Sequence, residues 1–223
     1  MSSIKDRIKE INGGLPDGAR LVAISKYHPA SCVAEAYEAG QRIFGESHVQ
    51  ELMEKQAILP TDIEWHFIGH LQTNNVKYIA PFVSLIHAVD TLKLLREIDR
   101  QGERCKRVIP CLLQLHVAQE ETKFGFTFEE CQSLLADGEW KRMKHISLRG
   151  LMCMASNTDD RKQVRDEFHR VRAFFDAMQQ VVAADAPDFK ELSMGMSHDY
   201  PIALEEGSTL IRVGSMIFGD RAY

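Results

Sequence analysis

The sequence predicts a single (β/α)8 barrel. Three observations carry this. Short apolar runs alternate with longer amphipathic segments along all 223 residues. Eight strands, each followed by a helix, give the count of that barrel. No Pro/Gly/Ser-rich linker, repeat or low-complexity tract divides the chain, so residues 1–223 read as one domain.

The elements follow in order. Ile4, Ile8 and Ile11 share one face of an opening helix that Gly13-Gly14 ends. The run Leu21-Val22-Ala23-Ile24, bounded by Pro29, predicts strand one over 20–25. A helix over 30–39 stops at Gly40, strand two covers 42–44, and a helix covers 49–59. Strand three is expected over 64–68, a helix ending at 76–80 before Pro81, and strand four over 83–88. The next helix, over 92–100, is expected to close at Gly102, with strand five over 108–117. Thr127-Phe128-Glu129-Glu130 is a capping-box pattern opening a helix that ends near Gly138. Strand six covers 146–152. Val164, Phe168, Val171, Phe175, Met178 and Val182 then repeat at helical steps, with the charges between them on the solvated side. Glu191-Leu192 is a minimal strand seven, a helix covers 202–206, and strand eight covers 210–213.

Bulk properties narrow the function. The net charge of −5 argues against a nucleic-acid surface. Cys32, Cys105, Cys111, Cys131 and Cys153 are odd in number and form no CxxC pair, which fits reduced thiols in the cytoplasm better than disulfides or zinc. The N-terminus has no apolar signal region, and no stretch approaches the ~20 apolar residues of a membrane span. The expectation is a cytoplasmic protein without membrane contact. A barrel of this size can stand alone, so a monomer is expected.

Barrel active sites sit at the C-terminal ends of the strands. Lys26 lies there, directly after strand one. Partial desolvation disfavours an ammonium, and a neutral lysine is what a Schiff base requires. Two loops near the C-terminus are small, polar and glycine-containing: Ser193-Met194-Gly195-Met196-Ser197 and Gly214-Ser215. Loops after strands seven and eight are the recurrent phosphate site of such barrels, because glycine lets backbone amides approach an anion and serine hydroxyls donate to it. An imine-forming lysine and a phosphate cradle at one mouth are what pyridoxal phosphate needs. Arg212 is a candidate partner for its pyridine nitrogen, as a donor that keeps its own proton.

His66 and His70 have the i, i+4 spacing of zinc ligands on a helix, but here they lie on a strand, about 13 Å apart. No metal is therefore expected, and His66 is expected to face the barrel mouth. The Met152-Cys153-Met154 stretch, Met194 and Met196 read as packing.

From about Leu21 to Gly219 the chain resembles the pyridoxal phosphate homeostasis (YggS/PROSC) family, single-domain barrels similar to the N-terminal domain of alanine racemase. The matching stretches are Val22-Ala23-Ile24-Ser25-Lys26, Phe44-Gly45-Glu46 with Val49-Gln50-Glu51, and His66-Phe67-Ile68-Gly69 with Leu71-Gln72 and Asn74. Then come Glu120 with Lys123-Phe124-Gly125-Phe126, and Gly150-Leu151-Met152. The most specific are Leu192 to Ser197 with Asp199-Tyr200, and Gly207-Ser208-Thr209 leading to Arg212-Val213-Gly214 and Ile217-Phe218-Gly219. The resemblance implies Lys26 as the Schiff-base lysine, Ser193 and Ser197 near the phosphate, Gly214-Ser215 as the second phosphate loop, and Arg212 facing the ring nitrogen. Met194 belongs to the first of these loops. Three positions depart from the family pattern. Ser47-His48 stands in place of Asn-Tyr, which puts a ring-side hydrogen bond from position 47 in question; Asn75 replaces a common lysine, and His116 a frequent asparagine.

The leading expectation is a protein that holds, buffers or delivers pyridoxal phosphate, with pyridoxal phosphate-dependent apoenzymes as possible recipients. Racemisation needs an acid/base on each face of the planar intermediate. Lys26 serves one face; in the racemases the opposing tyrosine comes from a second domain, for which a chain ending at Tyr223 leaves no room. A weak racemase-like enzyme is the alternative, and a Schiff-base aldolase acting on a sugar phosphate is a third.

Overall fold

The computed structural model describes residues 2–117 and 124–219. Glu120, Lys123 and Tyr223 lie outside the described residues. Eight parallel strands close into a barrel in sequence order, β8 pairing back onto β1. The strands are β1 (Arg20–Ile24), β2 (Ile43–Glu46), β3 (Glu64–Phe67), β4 (Leu85–Val89), β5 (Ile109–Gln114), β6 (Ile146–Met152), β7 (Glu191–Ser193) and β8 (Leu210–Val213). The helices are α1 (Ile4–Gly13), α2 (Ala30–Glu38), α3 (Val49–Ile58), α4 (Val76–Ile79), α5 (Leu92–Cys105), α6 (Phe128–Asp137), α7 (Arg161–Val182), α8 (Tyr200–Glu205) and α9 (Ser215–Phe218).

Strand alternation sorts the side chains into two cores. Val22, Ile24, Leu85, Leu112, Met152 and Leu210 fill the barrel interior. Leu21, Ala23, Phe44, Trp65, Phe67, Ile86 and Leu192 face outward into the larger core beneath the helices. The helix starts obey local rules. Ser3 with Asp6 and Thr127 with Glu130 form capping boxes, Thr91 accepts from the Leu94 amide, and Asp160 caps α7.

Two boundaries differ from expectation by three residues or more. α5 runs through Gly102 and ends at Lys106, which adopts a left-handed φ of 54°. Gly102 serves packing: a Cβ there would stand 2.6 Å from the His145 carbonyl oxygen. β5 stops at Gln114, short of Val117.

Candidate functional site

Strand alternation builds the site. Val22 and Ile24 point into the barrel, and Lys26, two residues on, continues that row beyond the strand end. Leu210, Arg212 and Gly214 form the equivalent row on β8, whose register sets Arg212 beside Val22. Both rows end at a cavity of about 490 Å³ in the barrel mouth. Lys26, Ser47, Ser197, Arg212, Gly214 and Ser215 line it, with Ile24, Ile68 and Met152 as apolar floor.

Two loops owe their shape to glycine. Gly195 has a φ of +94°, and a Cβ there would lie 2.6 Å from the Ala203 Cβ. The loop is closed by Asp199, whose Oδ1 accepts the Met196 amide at 2.5 Å, while the Gly195 carbonyl accepts the Arg212 amide at 2.9 Å. Across the mouth, Gly69, just after β3, packs on the loop after β2; a Cβ would meet the Ser47 carbonyl oxygen at 2.3 Å. Gly214 donates its amide toward the Ser197 hydroxyl at 3.4 Å, joining the two C-terminal loops.

Three residues expected at the cofactor surface stand elsewhere. Met194 has outward parity after Ser193 and packs in the core beneath the helices. Ser193 points inward but below the cavity. Its fully buried hydroxyl accepts from Arg212 Nη1 at 2.6 Å and pairs with His87 Nδ1 at 3.0 Å. His66 is also interior, deeper than the mouth, with Nδ1 3.0 Å from His87 Nε2. Burial holds both imidazoles neutral: His66 is pushed down to about 3, and His87 falls well below its ordinary value. Together they form a chain from the barrel interior up to Arg212, whose Nη2 also donates to the Cys153 carbonyl at 2.9 Å. Burial shifts the Arg212 guanidinium downward from its ordinary value.

Sequence reasoning passed over several lining residues, among them His28, His70, Gln114, Phe124 and His198. In sequence His70 shows only its four-residue spacing from His66. Its Nδ1 lies 2.9 Å from the buried Asp90 carboxylate, and its ring stacks on Phe124 with centroids 3.7 Å apart. The signal for this pair was Asp90, directly after β4 at the same mouth. Among the described residues no group of three or more His, Cys, Asp or Glu side chains is arranged to hold a metal ion.

The donor set fits an anionic cofactor. The described lining holds Lys26, Arg212, three serine hydroxyls and three histidines, and no carboxylate. A phosphate would be held by Ser197, Ser215 and the Gly214 backbone, and a ring nitrogen would face the Arg212 fork.

Residues 1–222 match the family model described as "Alanine racemase, N-terminal domain". The chain is 36% identical to the pyridoxal phosphate homeostasis protein of Aquifex aeolicus, over 100% of this chain and 97% of that one. It is 34% identical to the protein of the same name from Escherichia coli K12, over 100% and 96%. The chain belongs to the pyridoxal phosphate homeostasis protein family. Among solved structures it is similar to PipY of Synechococcus elongatus PCC7942 without PLP, with a TM-score of 0.92 and 36% identity, covering 97% of this chain and 100% of that one. PipY with PLP bound superposes with a TM-score of 0.88 at 35% identity, with the same coverage. Alanine racemase from Bartonella henselae shares the fold alone, with a TM-score of 0.72 and 14% identity; this chain spans 58% of its length.

Proposed function

We propose that this protein binds pyridoxal phosphate through Lys26 and serves to hold, buffer or deliver the cofactor. One observation carries the reading: Lys26, Ser197, Ser215 and Arg212 line a single cavity whose described lining has no carboxylate. Family membership and the PLP-bound PipY relative support it. When bound, pyridoxal phosphate supplies an aldehyde that condenses with a lysine amine to a coloured Schiff base.

The chain's own residues define the pose. Lys26 presents its amine from the β1 side. Ser197 and Ser215 would donate hydroxyls to the phosphate from the loops after β7 and β8, and Ser47 stands beside Gly69 at the rim. Arg212 would keep its protons and donate to an unprotonated ring nitrogen. A donor there makes the ring a weaker electron sink than a carboxylate partner would, which favours a carrier over a catalyst. Hand-over to pyridoxal phosphate-dependent apoenzymes in the cytoplasm is the corresponding partner reading. A monomer suffices for it, because this barrel closes its own sheet. Among the described residues no helix is long and apolar enough to cross a membrane.

The test is the visible absorption of the purified protein mixed with pyridoxal phosphate, before and after borohydride, with peptide mapping. The expected result is a band that disappears on reduction and a pyridoxyl group on Lys26. A chain that stays colourless and unlabelled overturns the reading and favours a sugar-phosphate Schiff-base enzyme. Sustained racemase turnover by the pure protein would replace the carrier reading with the enzyme alternative.

A further inference from the structure

One buried ionic network grips the backbone on both sides of Lys26. Lys55, on α3, donates from Nζ to the Ser25 carbonyl at 2.7 Å, to Glu46 Oε1 at 2.6 Å and to Glu51 Oε1 at 2.8 Å. The Ser25 hydroxyl donates to the same Glu46 oxygen at 2.6 Å. Glu51 Oε1 also accepts the Tyr27 amide at 2.7 Å. The carbonyl before Lys26 and the amide after it therefore both end on the Lys55–Glu51 pair.

Two features set this apart from an ordinary surface pair. The Lys55 and Glu46 side chains are only 6% and 0% exposed. Holding ionisable groups out of water costs free energy that apolar residues of similar volume would not incur, so stability is a weak reason for the pair. Tyr27, moreover, sits in the left-handed region at φ 67°, one of two described non-glycine residues with positive φ. A residue with a Cβ seldom adopts that conformation unless its surroundings impose it. The Glu51 bond to its amide is such a restraint. The sharp turn it holds brings the chain out of β1 at Lys26, with that side chain still in the Val22–Ile24 row.

We infer that Lys55, together with Glu46 and Glu51, is a positioning device for Lys26: it clamps the peptide groups flanking that residue and so fixes where its amine meets an aldehyde. The inference rests on the reading of Lys26 as the aldehyde-capturing residue. It assigns a role to a cluster outside the cavity lining.

The experiment compares wild type, Glu51→Ala and Lys55→Met with two ligands. One is pyridoxal phosphate, followed by its visible band and by borohydride trapping. The other is 4-deoxypyridoxine phosphate, which carries a methyl group in place of the aldehyde and cannot condense. Glu51 is the safer site because its side chain is 22% exposed, so Glu51→Ala keeps the test open if Lys55→Met does not fold. The expected result is capture of the aldehyde slowed about tenfold or more in Glu51→Ala, with unchanged affinity for the non-condensing ligand. Unchanged capture overturns the inference. So does an equal loss for both ligands, which would mark the network as general support for the cavity. A wild-type chain that captures no pyridoxal phosphate refutes the reading of the site itself, before any variant is compared.

Discussion

Replacing His66 with asparagine should make the fold less sensitive to acid. His66 is buried in the barrel interior and held neutral, its pKa pushed by burial from 6.5 to about 3. The sign follows from proton binding. Below about pH 6.5 the unfolded chain takes up a proton on this ring and the native chain does not, so the stabilisation is complete above that pH and is lost as pH falls. The loss is about 1.4 kcal/mol per pH unit, or about 2.7 kcal/mol between pH 6.5 and 4.5. That is a large share of a typical stability of about 5–15 kcal/mol. Burial lowers His87 as well, so it acts in the same sense. Glu46 acts in the opposite sense. Burial raises its carboxyl from 4.5 to about 7, and its contribution is lost as pH rises through that window. The wild-type curve therefore mixes opposing slopes, and the difference between wild type and His66→Asn isolates His66. Asparagine places an amide near the position of the ring Nδ1, keeping a partner for His87 Nε2. The assay is urea unfolding at several pH values, followed by the fluorescence of the buried Trp65 and Trp140. The variant starts less stable near neutral pH because it is smaller, but its curve should be flatter on the acid side by about 1.4 kcal/mol per pH unit. Parallel curves would refute the claim that His66 stays uncharged in the fold.

Three further outcomes are expected. Ser197→Ala and Ser215→Ala should each weaken pyridoxal phosphate retention by about 1 kcal/mol or more in equilibrium dialysis, since each removes a hydrogen bond to a charged group; no change in either variant would put the phosphate elsewhere. Ser193→Ala should act mainly on stability, by about 1–3 kcal/mol in urea unfolding, because it leaves Arg212 and His87 short of a buried partner; a variant that lost cofactor without losing stability would return Ser193 to the cofactor surface. Gly69→Ala should cost about 1–3 kcal/mol by forcing a methyl against the Ser47 carbonyl, and an unchanged melting temperature would show that the two loops separate freely.

Much of the barrel was legible because β-strands alternate. Val22, Ile24 and Lys26 are spaced by two, and that alone aims the lysine at the mouth. The same rule, applied to Ser193-Met194, would have kept these neighbours off a common surface. They were read together as one loop because β7 is only three residues long, too short to announce its parity in sequence. Gly102 misled for a different reason: glycine within a helix looks like a stop, and only the approach of His145 from another part of the chain reveals its packing role. The Lys55 network went unread although a clue was present. Leu52 and Lys55 lie three apart on the buried side of α3, so a lysine occupies a position where an apolar residue belongs.

The cavity draws Lys26 from β1 and its serine loops from β7 and β8, which has a consequence during synthesis. At about 5–20 residues per second, a ribosome needs roughly ten to forty seconds between Lys26 and Ser215. Through that interval the lysine lacks the serine loops that complete its cavity, and β1 has no β8 to pair with. The last strand to emerge both seals the sheet and completes the pocket, so the ability to retain a ligand arrives in one step with closure. A ligand that bridges the two ends of the chain would then act as a fastener on the seam, slowing reopening where β8 meets β1.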